Sequence, residues 1–342
     1  GEPGPSGCDN ACGSTAVDDC AGTCGGTLVV DSFGLCGNDN SLQGAIDAAA
    51  EGSELNVPSG VYTESITITN SIELVCAESC TIDARGISGR AAVISGAYIV
   101  FDGFTIIGDE TMYAGVVITP GSFGVDVINS TIFGMTLSNP SNDSPLSYGI
   151  LSYGNGPTDM PSNIYIENND IFGIGGAGIS LGSYTHDHLI ENNSIHDIIP
   201  VDFGGELLSI GVQAEFGAEV RIEDNTFSNL FIGTNLLASQ GNVSGNSYTN
   251  VASLHTSTYP SYVTFVSEAA WWQAFSTLNY AGTDIALVSY ASSLELAILA
   301  ADSGSVVTGS DGTQTIQDCA GTWGGTNWSS DCGCVAADNS GD

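Results

Sequence analysis

Hydrophobic and polar positions in the middle of the chain follow a repeated pattern of short strands. In each repeat, apolar side chains alternate with polar ones around one apolar position that recurs in every copy. The six segments are VFDGFTIIG (100–108), VINSTIFG (127–134), IENNDIFG (166–173), IENNSIHD (190–197), IEDNTFSN (222–229) and VSGNSYTN (243–250). The recurring position holds Ile106, Ile132, Ile171, Ile195, Phe227 and Tyr248. Alternation predicts strands, and a repeat of about 21 to 26 residues is the length of one β-solenoid coil, which buries its apolar face when coils stack.

Two intervals between these segments are longer than one coil. They predict insertions that protrude as loops, at 138–149 and 200–209. A second recurring position is polar and holds Asn169, Asn193, Asn225 and Asn246. Stacked amides can hydrogen-bond along a strand ladder at a spacing of ~4.8 Å, and Asn tolerates the left-handed backbone of a tight corner. We therefore predict a structural asparagine ladder rather than a ligand site.

The segment before the repeats has the periodicity of a short helix. Its apolar residues follow the i, i+3, i+4, i+7 spacing, and Ser41 is a suitable N-cap. These apolar residues are Leu42, Ala45, Ile46 and Ala49. The stretch SLQGAIDAAAEGSELNVPSGVYTESITITNSIEL (41–74) resembles the start of pectin-lyase-like proteins. The resemblance covers residues 41 to 250 and implies an all-β fold: a single-stranded right-handed parallel β-helix with an N-terminal helix cap.

After the sixth segment the repeat pattern fades. Segments 267–275 and 292–301 have short helical patterns with Ser caps, and 284–290 has the pattern of a strand. Because an open solenoid edge invites strand addition, we predict a small C-terminal α/β cap over this end. The predicted organisation is N-terminal Cys-rich repeats at 1–37, the parallel β-helix at 38–255, the cap at 256–316 and a C-terminal Cys-rich module at 317–342.

The charge of the chain is strongly one-sided. It has 39 acidic residues and only three basic ones, all arginines, for a formal net charge of −36 at pH 7. Nucleic acids and anionic membranes require a basic footprint, so we expect neither as a partner and no membrane insertion. Such a charge is tolerated where salt or divalent ions screen it. We therefore predict an extracellular or cell-surface location in a saline environment.

Calcium is the cation that we expect to bind, because several loops offer clustered oxygen ligands. These loops are CGNDNS (36–41), GDETMY (108–113) and NPSNDS (139–144), and none has the spacing of a defined calcium loop. Five sequons would accept N-linked glycans, at Asn129, Asn142, Asn192, Asn242 and Asn327. The sequence has no secretory or transmembrane run, so we expect a mature, secreted product.

The resemblance also introduces an enzymatic alternative, because that family contains lyases and hydrolases of acidic polysaccharides. Its lyases use Arg or Lys to neutralise a uronate carboxylate and to abstract a proton, whereas its hydrolases use clustered Asp carboxylates. This chain has no lysine, and Arg221, its one arginine beyond residue 100, has Glu223 two positions away. A surface ion pair explains that arginine. We therefore predict no catalytic residue and keep Arg221 and Glu223 as an alternative set.

Three of the four histidines lie within eleven residues and belong to the same alternative set. His186 and His188 are spaced to point to one strand face, and His196 follows about half a coil later. Two imidazoles at i and i+2 can chelate Zn²⁺ or Cu²⁺. Exposed polar residues in a turn explain the same cluster, and we favour that interpretation.

Ten cysteines lie mostly near the two ends of the chain and indicate an oxidising compartment. Cys76 and Cys80 are close enough in sequence to bridge each other. The others are Cys8, Cys12, Cys20, Cys24 and Cys36 at the N-terminal end and Cys319, Cys332 and Cys334 at the C-terminal end. Both counts are odd, so full oxidation requires a bond between the two ends, within one molecule or between neighbours.

The end segments carry copies of one unit. CDNACGSTAVDD (8–19), CAGTCGGTLVVD (20–31) and CAGTWGGTNWSSD (319–331) resemble short repeats of secreted surface proteins. In the N-terminal copy, Ser32 follows Asp31 where the resemblance would lead us to expect a cysteine nearby. In the C-terminal copy, Trp323 replaces the second cysteine. The copies are therefore incomplete in complementary ways. We therefore predict an extracellular structural protein that stacks head to tail with copies of itself, or with related β-helix subunits, into a filament or surface appendage. The predicted aromatic anchors of that joint are Phe33, Trp323 and Trp328.

The alternative function is a secreted polysaccharide-binding or polysaccharide-degrading β-helix protein. A solenoid face with Tyr148, Tyr153 and Tyr184 near acidic groups could hold a neutral glycan, or an anionic glycan through bridging calcium. The scarcity of basic residues argues against a uronate lyase.

Overall fold

The computed structural model describes residues 7–11, 13–37, 40–87, 89–137, 146–155, 159–182, 185–203, 206–215, 218–237, 239–258, 262–266, 284–287, 307–308, 314–315, 318–320, 322, 325–330 and 333–335. Most of these residues lie in parallel strands that form three long sheets along a solenoid. Each coil passes through the three sheets in order, and parallel crossovers of this kind are right-handed. The fold is a right-handed parallel β-helix, as the sequence predicts.

The strands of the three sheets have the following bounds. The first sheet contains Ser53–Asn56, the starts of Ile72–Asp83 and Ala97–Ile107, Phe123–Ile128, Ser162–Glu167, His186–Glu191, Glu219–Glu223, Gln240–Ser244, Tyr262–Val266 and Asp284–Leu287. The second contains Gly60–Tyr62, the ends of Ile72–Asp83 and Ala97–Ile107, Thr131–Phe133, Asp170–Phe172, Ser194–His196 and the starts of Thr226–Leu237 and Ser247–Thr258. The third contains Ile66–Ile68, Gly89–Ile94, Met112–Ile118, Ser147–Ser152, Gly176–Leu181, Ile210–Glu215 and the ends of Thr226–Leu237 and Ser247–Thr258.

The first sheet extends past the predicted β-helix boundary at residue 255. Tyr262–Val266 pairs in parallel with Gln240–Ser244, and Asp284–Leu287 pairs with Tyr262–Val266. Val307–Thr308 pairs next and is followed by an antiparallel partner, Gln314–Thr315. Strands there find partners on the open edge although the sequence repeat has faded. The predicted helices at 267–275 and 292–301 lie outside the described residues.

The insertion predicted at 200–209 forms a hairpin in which Val201–Phe203 pairs antiparallel with Glu206–Leu208. Most of the insertion predicted at 138–149 lies outside the described residues, and the chain re-enters the third sheet at Ser147.

Helix Leu42–Ala48 covers the N-terminal end, with Ser41 as its N-cap. No helix in the described part of the chain is long and apolar enough to cross a membrane.

The predicted asparagine ladder joins successive coils at the corner between the first and second sheets. Nδ2 of Asn169 donates to Oδ1 of Asn193 at 2.9 Å, and Asn193 donates to Asn225 at 2.9 Å. Asn225 donates in turn to Asn246 at 3.0 Å. The preceding residue in each coil has a left-handed φ of 54° to 67°: Asn168, Asn192, Asp224 and Gly245. The same Oδ1 atoms also accept the backbone N–H groups of Asn169, Asn193 and Asn225. The amides therefore satisfy backbone groups at a corner that short polar residues and Gly adopt readily.

Inside the solenoid, large side chains of the second sheet pack against a column of glycines in the third sheet. Five of the recurring apolar residues are 0% exposed: Ile106, Ile132, Ile171, Ile195 and Phe227. The glycines that meet these side chains, or Tyr248, are Gly115, Gly149, Gly178, Gly211 and Gly233. A Cβ on Gly178 would lie 2.6 Å from Cγ2 of Ile195 and 2.9 Å from the carbonyl oxygen of Gly211. The coil has no room for a methyl group at that point.

Disulfides close the two end segments locally. Cys8 is bonded to Cys24, Cys20 to Cys36 and Cys319 to Cys334. Cys76 and Cys80 are bonded to each other, as predicted. Cys12 and Cys332 lie outside the described residues, so the bond expected between the two ends concerns these two and stays a prediction. Covalent closure of this kind is typical of an oxidising, extracytoplasmic compartment.

Of the predicted joint anchors, the structure gives Phe33 a different position. Its ring centroid lies 5.8 Å from that of Tyr62, and it packs against the interior of the first coil. Phe33 therefore attaches the N-terminal segment to its own solenoid, because its apolar ring finds cover within the molecule. Trp323 lies outside the described residues. Trp328 begins the strand Trp328–Ser330, which pairs antiparallel with Gly333–Val335.

Candidate functional site

The outer face of the third sheet carries residues that are buried although they point away from the solenoid interior. Four apolar residues on it are 0% to 1% exposed yet do not belong to the continuous interior cluster: Ala114, Val117, Ala177 and Ile210. Ser180 and Gln213, which continue the row of Val117 and Leu151, are 2% and 7% exposed. We name this surface the third-sheet face. A covered, apolar floor with few polar groups is typical of a ligand site.

Tyr148 stands in the middle of the third-sheet face. It pairs with Ala114 on one side and Ala177 on the other, so both neighbours in its row are small and leave room for its ring. Burial raises the pKa of Tyr148 to about 12, and the charges of Glu215 and Tyr113 contribute in the same direction. The phenol therefore keeps its proton at neutral pH and can donate a hydrogen bond.

Arg90 and Tyr113 form a pair at the edge of this face. Nε of Arg90 donates to the hydroxyl of Tyr113, and the guanidinium carbon lies 5.3 Å from the ring centroid. Burial raises the pKa of Tyr113, and Arg90 opposes that rise. The other two arginines contact carboxylates, Arg85 at 2.7 Å from Asp83 and Arg221 at 4.0 Å from Glu223. Arg90 is thus the arginine placed to meet a ligand on this face.

Gln213 and Glu215 supply the polar groups of the face. Nε2 of Gln213 donates to Oε1 of Glu215, whereas Oε1 of Gln213 is buried without a hydrogen-bond partner among the described residues. Burial raises the pKa of Glu215, and the bond from Gln213 opposes that rise. Among the described residues, this face therefore holds one acceptor without a partner and one carboxyl group of raised pKa.

A cavity of about 330 Å³ opens where the chain turns from the second into the third sheet. Pro200 of the hairpin and Phe231 supply apolar walls, and Asn229 and Asn250 supply amides. Nδ2 of Asn250 donates to Oδ1 of Asn229 at 2.9 Å, so the two amides are held in line. The cavity lies at the border of the third sheet and can extend a site on it.

The first sheet presents a charged outer face instead. Glu167, Glu191 and Glu223 are neighbours in one row across three successive strands. Burial raises the pKa of Glu191, and the charges of Glu167 and Glu223 add to this. Arg221 lies in the adjacent row, where it makes the surface ion pair with Glu223 that the sequence suggests. Neither Arg221 nor Glu223 is on the third-sheet face.

The structure separates the three clustered histidines, so the predicted shared face of His186 and His188 is wrong. His188 lies in the interior row between Ile164 and Val220 and is 2% exposed, whereas His186 is on the surface. The residue between them, Asp187, has a left-handed φ of 56° that interrupts the alternation of a strand. Burial lowers the pKa of His188 to about 3, and neither ring nitrogen has a hydrogen-bond partner among the described residues.

His196 lies on the outer face of the second sheet. Its ring stacks on that of Phe172 at 5.0 Å, and its Nδ1 and Nε2 lie 2.7 Å and 3.1 Å from carboxylates of Asp197 and Asp170. Two carboxylates and a ring therefore hold it in place. The three imidazoles do not form the chelating site that their spacing suggests.

Two of the three loops expected to bind calcium, 36–41 and 139–144, lie partly or wholly outside the described residues. Both carboxylate oxygens of Asp109 in the loop 108–113 accept protein hydrogen bonds, from Thr111 and Gly86. The one grouping of potential metal ligands in the described part, Cys8, Asp18 and Cys24, has both of its sulfur atoms in a disulfide. Calcium stays a prediction.

The sequons occupy different environments. Asn129 and Asn192 are exposed at coil corners, where their amides donate to Asp102 and Glu191. Asn242 and Asn327 are half-buried, and Asn142 lies outside the described residues. Glycosylation stays a prediction.

Sequence reasoning singled out Tyr148, Tyr153 and Tyr184, of which Tyr184 lies outside the described residues. It missed Arg90, Tyr113, Gln213 and Glu215. These residues are up to 125 positions apart in the chain. If the strands of the third sheet had been aligned in their correct register, these residues would have fallen at neighbouring positions on the sheet. Their burial has no sequence signal, because it depends on which outer surface is covered.

No protein-family model matches the chain, and no curated protein matches it. Solved structures with a similar fold include pectate lyase Pel9A, at 12% identity over 72% of this chain and 68% of that chain, with a TM-score of 0.41. Tailspike protein gp49 from Acinetobacter baumannii bacteriophage Fri1, a capsular polysaccharide depolymerase, shares 9% identity over 76% and 51% of the two chains, with a TM-score of 0.36. Full-length tailspike protein 2 from Escherichia coli O157:H7 bacteriophage CAB120 shares 13% over 68% and 41%, with a TM-score of 0.35.

These similarities are of architecture only, and the pairing of this chain's own strands establishes the same architecture. The molecule is a right-handed parallel β-helix protein with a covered aromatic face on its third sheet and disulfide-bonded modules at its ends.

Proposed function

We propose that the third-sheet face binds a neutral polysaccharide outside the cell. The observation that carries this proposal is the outward position of Tyr148, Gln213 and Glu215 on a floor that is buried but not part of the interior. Sugar rings have apolar faces that stack on aromatic rings and hydroxyl groups that need paired donors and acceptors. The face offers both kinds of contact.

The charges near this face favour a neutral ligand. The chain carries a formal net charge of −36, and Arg90 is one of only three basic residues. A polyuronate would meet the charge of Glu215 and the field of the whole molecule, which repels anions. A neutral glycan avoids this repulsion, and it remains compatible with the saline environment that we propose for so acidic a protein.

The arrangement supports binding rather than hydrolysis. Glycoside hydrolysis needs two carboxyl groups across the scissile bond, one as acid and one as base or nucleophile. Among the described residues, Glu215 is the carboxyl group near Tyr148, and no second acidic residue shifts the pKa of Glu215. Tyr148 keeps its proton at neutral pH, so it is unsuited to act as a general base.

The test is affinity electrophoresis of the full chain in gels that contain laminarin, galactomannan, dextran or polygalacturonate. We expect one neutral polymer to retard the protein. Tyr148→Ala should weaken that binding at least tenfold, which corresponds to about 1.4 kcal/mol. Tyr165→Ala, an exposed tyrosine on the first sheet, is the matched control and should bind like the parent.

Retardation by none of the neutral polymers would reject the proposal, as would an equal loss for Tyr148→Ala and Tyr165→Ala. A reducing-end assay on the polymer that binds separates binding from cleavage. Release of reducing ends would overturn the assignment to binding alone.

Head-to-tail assembly is a second candidate function, favoured by the likeness of the two end modules. Oδ1 of Asp19 accepts the N–H groups of Ala21 and Thr23, at 3.0 Å and 2.8 Å. Oδ1 of Asp318 accepts the equivalent groups at 2.9 Å and 2.8 Å. The same loop thus occurs at both ends, and exposed Val17 and Val29 border the N-terminal copy. Negative-stain microscopy of the full chain at high concentration should show end-to-end particles, and single particles alone would reject this candidate.

A further inference from the structure

The cavity of about 330 Å³ beside the hairpin, which we name the corner cavity, is continuous with the third-sheet face. Ser209 lines it and directly precedes Ile210, which continues the outward row of Tyr148 through Ala177. Two strand spacings of ~4.8 Å therefore separate the strand of Tyr148 from the strand at which the cavity opens. A disaccharide spans such a distance. A polysaccharide that stacks on Tyr148 can therefore reach the corner cavity.

Hydrogen bonds between three parts of the chain fix the walls of the corner cavity. Oγ of Ser209 donates to the carbonyl oxygen of Ile198 at 2.7 Å, which links the end of the hairpin to its start. The backbone N–H of Phe231 donates to the carbonyl oxygen of Ser209 at 3.1 Å, which links the hairpin to the next coil. The cavity is therefore formed without a ligand, and binding needs little ordering of the chain.

Most of the lining of the corner cavity is apolar. Pro200 forms one wall, and the side chain of Phe231, which is 38% exposed, forms another. The remaining apolar residues of the lining are Ile198, Leu230, Val251 and Ala252. No charged side chain lines the cavity among the described residues. Such a lining favours an uncharged ligand that brings an apolar group.

The polar side of the corner cavity consists of two amides in a hydrogen-bonded chain. Nδ2 of Asn250 donates to Oδ1 of Asn229 at 2.9 Å, and Nδ2 of Asn229 donates to Oδ1 of Asp197 at 2.8 Å. Both amides therefore donate in the same direction along the chain. Oδ1 of Asn250, at its other end, accepts no hydrogen bond from the described residues. The cavity thus offers a carbonyl acceptor beside apolar walls.

These groups match the chemistry of an acetamido group. An acetamido group is uncharged and carries an N–H donor close to a methyl group. A plain hydroxyl group can also donate to Asn250, but it leaves the apolar walls without a partner. A uronate carboxylate has no N–H to donate and is repelled by the charge of Asp197 and of the whole chain. The acetamido group therefore satisfies both sides of the cavity.

We propose that the corner cavity holds the acetamido group of an N-acetylated hexosamine unit in the polysaccharide that lies on the third-sheet face. The N–H of this group donates to Oδ1 of Asn250, and its methyl group packs against Phe231 and Ala252. This inference rests on the proposed function and narrows the class of its ligand. Neutral polymers without acetamido groups still contact Tyr148, but they lack this anchor and bind more weakly.

The first test uses single sugars, so that its result does not depend on a glycosidic linkage. Saturation-transfer NMR titrations of the full chain compare N-acetylglucosamine with glucose and N-acetylgalactosamine with galactose. We expect at least one acetamido sugar to bind about tenfold or more tightly than its matched hexose, with the strongest transfer to its acetyl methyl group. Equal binding within both pairs, no binding of either acetamido sugar, or strongest transfer to ring protons would overturn the proposal.

A variant that fills the corner cavity gives a sharper version of this experiment. Ala252 is exposed, so Ala252→Trp places a large ring in the cavity without changing the interior of the solenoid, and the acetamido preference should be lost. Phe231→Ala removes a wall instead and should weaken the same preference. Thr249→Trp, exposed on the same strand outside the lining, is the matched control and should keep it. A preference that survives Ala252→Trp, or is lost equally in Thr249→Trp, would contradict the assignment.

Polymer gels distinguish a failure of this inference from a failure of the proposed function. Glycol chitin, a soluble neutral polymer of acetamido sugars, joins the other polymers. Tyr148→Ala should weaken binding to every neutral polymer that retards the parent, whereas Ala252→Trp should weaken binding to glycol chitin alone. If only Tyr148→Ala has its effect, the acetamido assignment falls and the proposed function stands. If only Ala252→Trp has its effect, the proposed function falls, and with it the shared polysaccharide.

Discussion

The outer faces of the first and third sheets are built on the same stack of coils and have opposite chemistry. The first-sheet face carries the half-buried Glu167, Glu191 and Glu223 in one row, and their charges interact with one another. The third-sheet face carries Ala177, Ile210 and other residues that are buried outside the interior. The same backbone repeat can therefore present either a charged, solvated outer face or a covered apolar one. The side chains in each outward row, and what covers them, decide which of the two it becomes.

The inner sides of these sheets differ as well. The third sheet contributes glycines that admit the large side chains of the second sheet, so its backbone lies close to Ile195 and Phe227. The first sheet contributes branched apolar residues and, in one coil, His188 between Ile164 and Val220. The third sheet is sensitive to any added volume, whereas the first carries a buried polar ring. These differences lead to three predictions, given from the largest effect to the smallest.

The largest effect should come from Gly178→Ala on the inner side of the third sheet. The added methyl group would lie 2.6 Å from Cγ2 of Ile195 and 2.9 Å from the Gly211 carbonyl oxygen, so backbone must shift. We expect the free energy of unfolding to fall by about 3 kcal/mol in denaturant titrations. Gly60→Ala is the matched control, since its new methyl group would have its nearest contact at 3.7 Å. Equal losses in both variants would show that the glycine column is not a packing requirement.

An intermediate effect should come from His188→Ile on the inner side of the first sheet. The variant removes a buried ring without hydrogen-bond partners, so it should be more stable at pH 7 by about 1–3 kcal/mol. The folded pKa of about 3 lies below the usual 6.5, so the unfolded chain binds a proton that the folded chain does not. The parent therefore loses stability as the pH falls from 6.5 toward 3.

The pH dependence separates this effect from simple repacking. Between pH 6.5 and pH 5, the advantage of His188→Ile should grow by about 1.6 kcal/mol, because the unfolded parent takes up a proton at His188 over this range. Thermal or urea unfolding at the two pH values measures the difference, and His255 cancels because both proteins contain it. A pH-independent advantage for His188→Ile would contradict the buried, neutral imidazole.

The smallest effect should come from Glu191→Gln on the first-sheet face. Removing the middle charge of the glutamate row relieves repulsion from Glu167 and Glu223 and should raise the free energy of unfolding by about 0.5 kcal/mol at low salt. The gain should vanish in about 1 M salt, where charges are screened within about 3 Å. Glu219→Gln, whose neighbour in the ladder is Gln240, is the control. A gain that persists in high salt would exclude charge repulsion as its cause.

Local patterns in the sequence were sufficient to predict the coils and their corners. The recurring apolar residues from Ile106 to Phe227 are buried, and the four asparagines form their ladder. Stacking requires each coil to repeat the same kinds of inward and corner residues, so the sequence itself shows the repeat. The bond between Cys76 and Cys80 is equally local.

The third-sheet face and the orientation of His188 could not be read in this way. Gln213 and Glu215 look like ordinary surface residues, because nothing nearby in the sequence reports that their side of the coil is covered. His188 has the spacing of a surface pair with His186, and only the left-handed backbone at Asp187 turns it inward. The sequence did not identify the disulfide partners, because the odd number of cysteines at each end allowed many pairings.

The sequence by itself determined the parallel β-helix, its helix cap, its asparagine corners and the presence of paired cysteines. These features arise from periodic, short-range requirements that each coil must satisfy on its own. Only the tertiary structure decided which outer face is covered, which histidine is buried and which cysteines are bonded. Those outcomes depend on residues brought together from distant coils, since burial and pairing are properties of the stack and not of any single repeat.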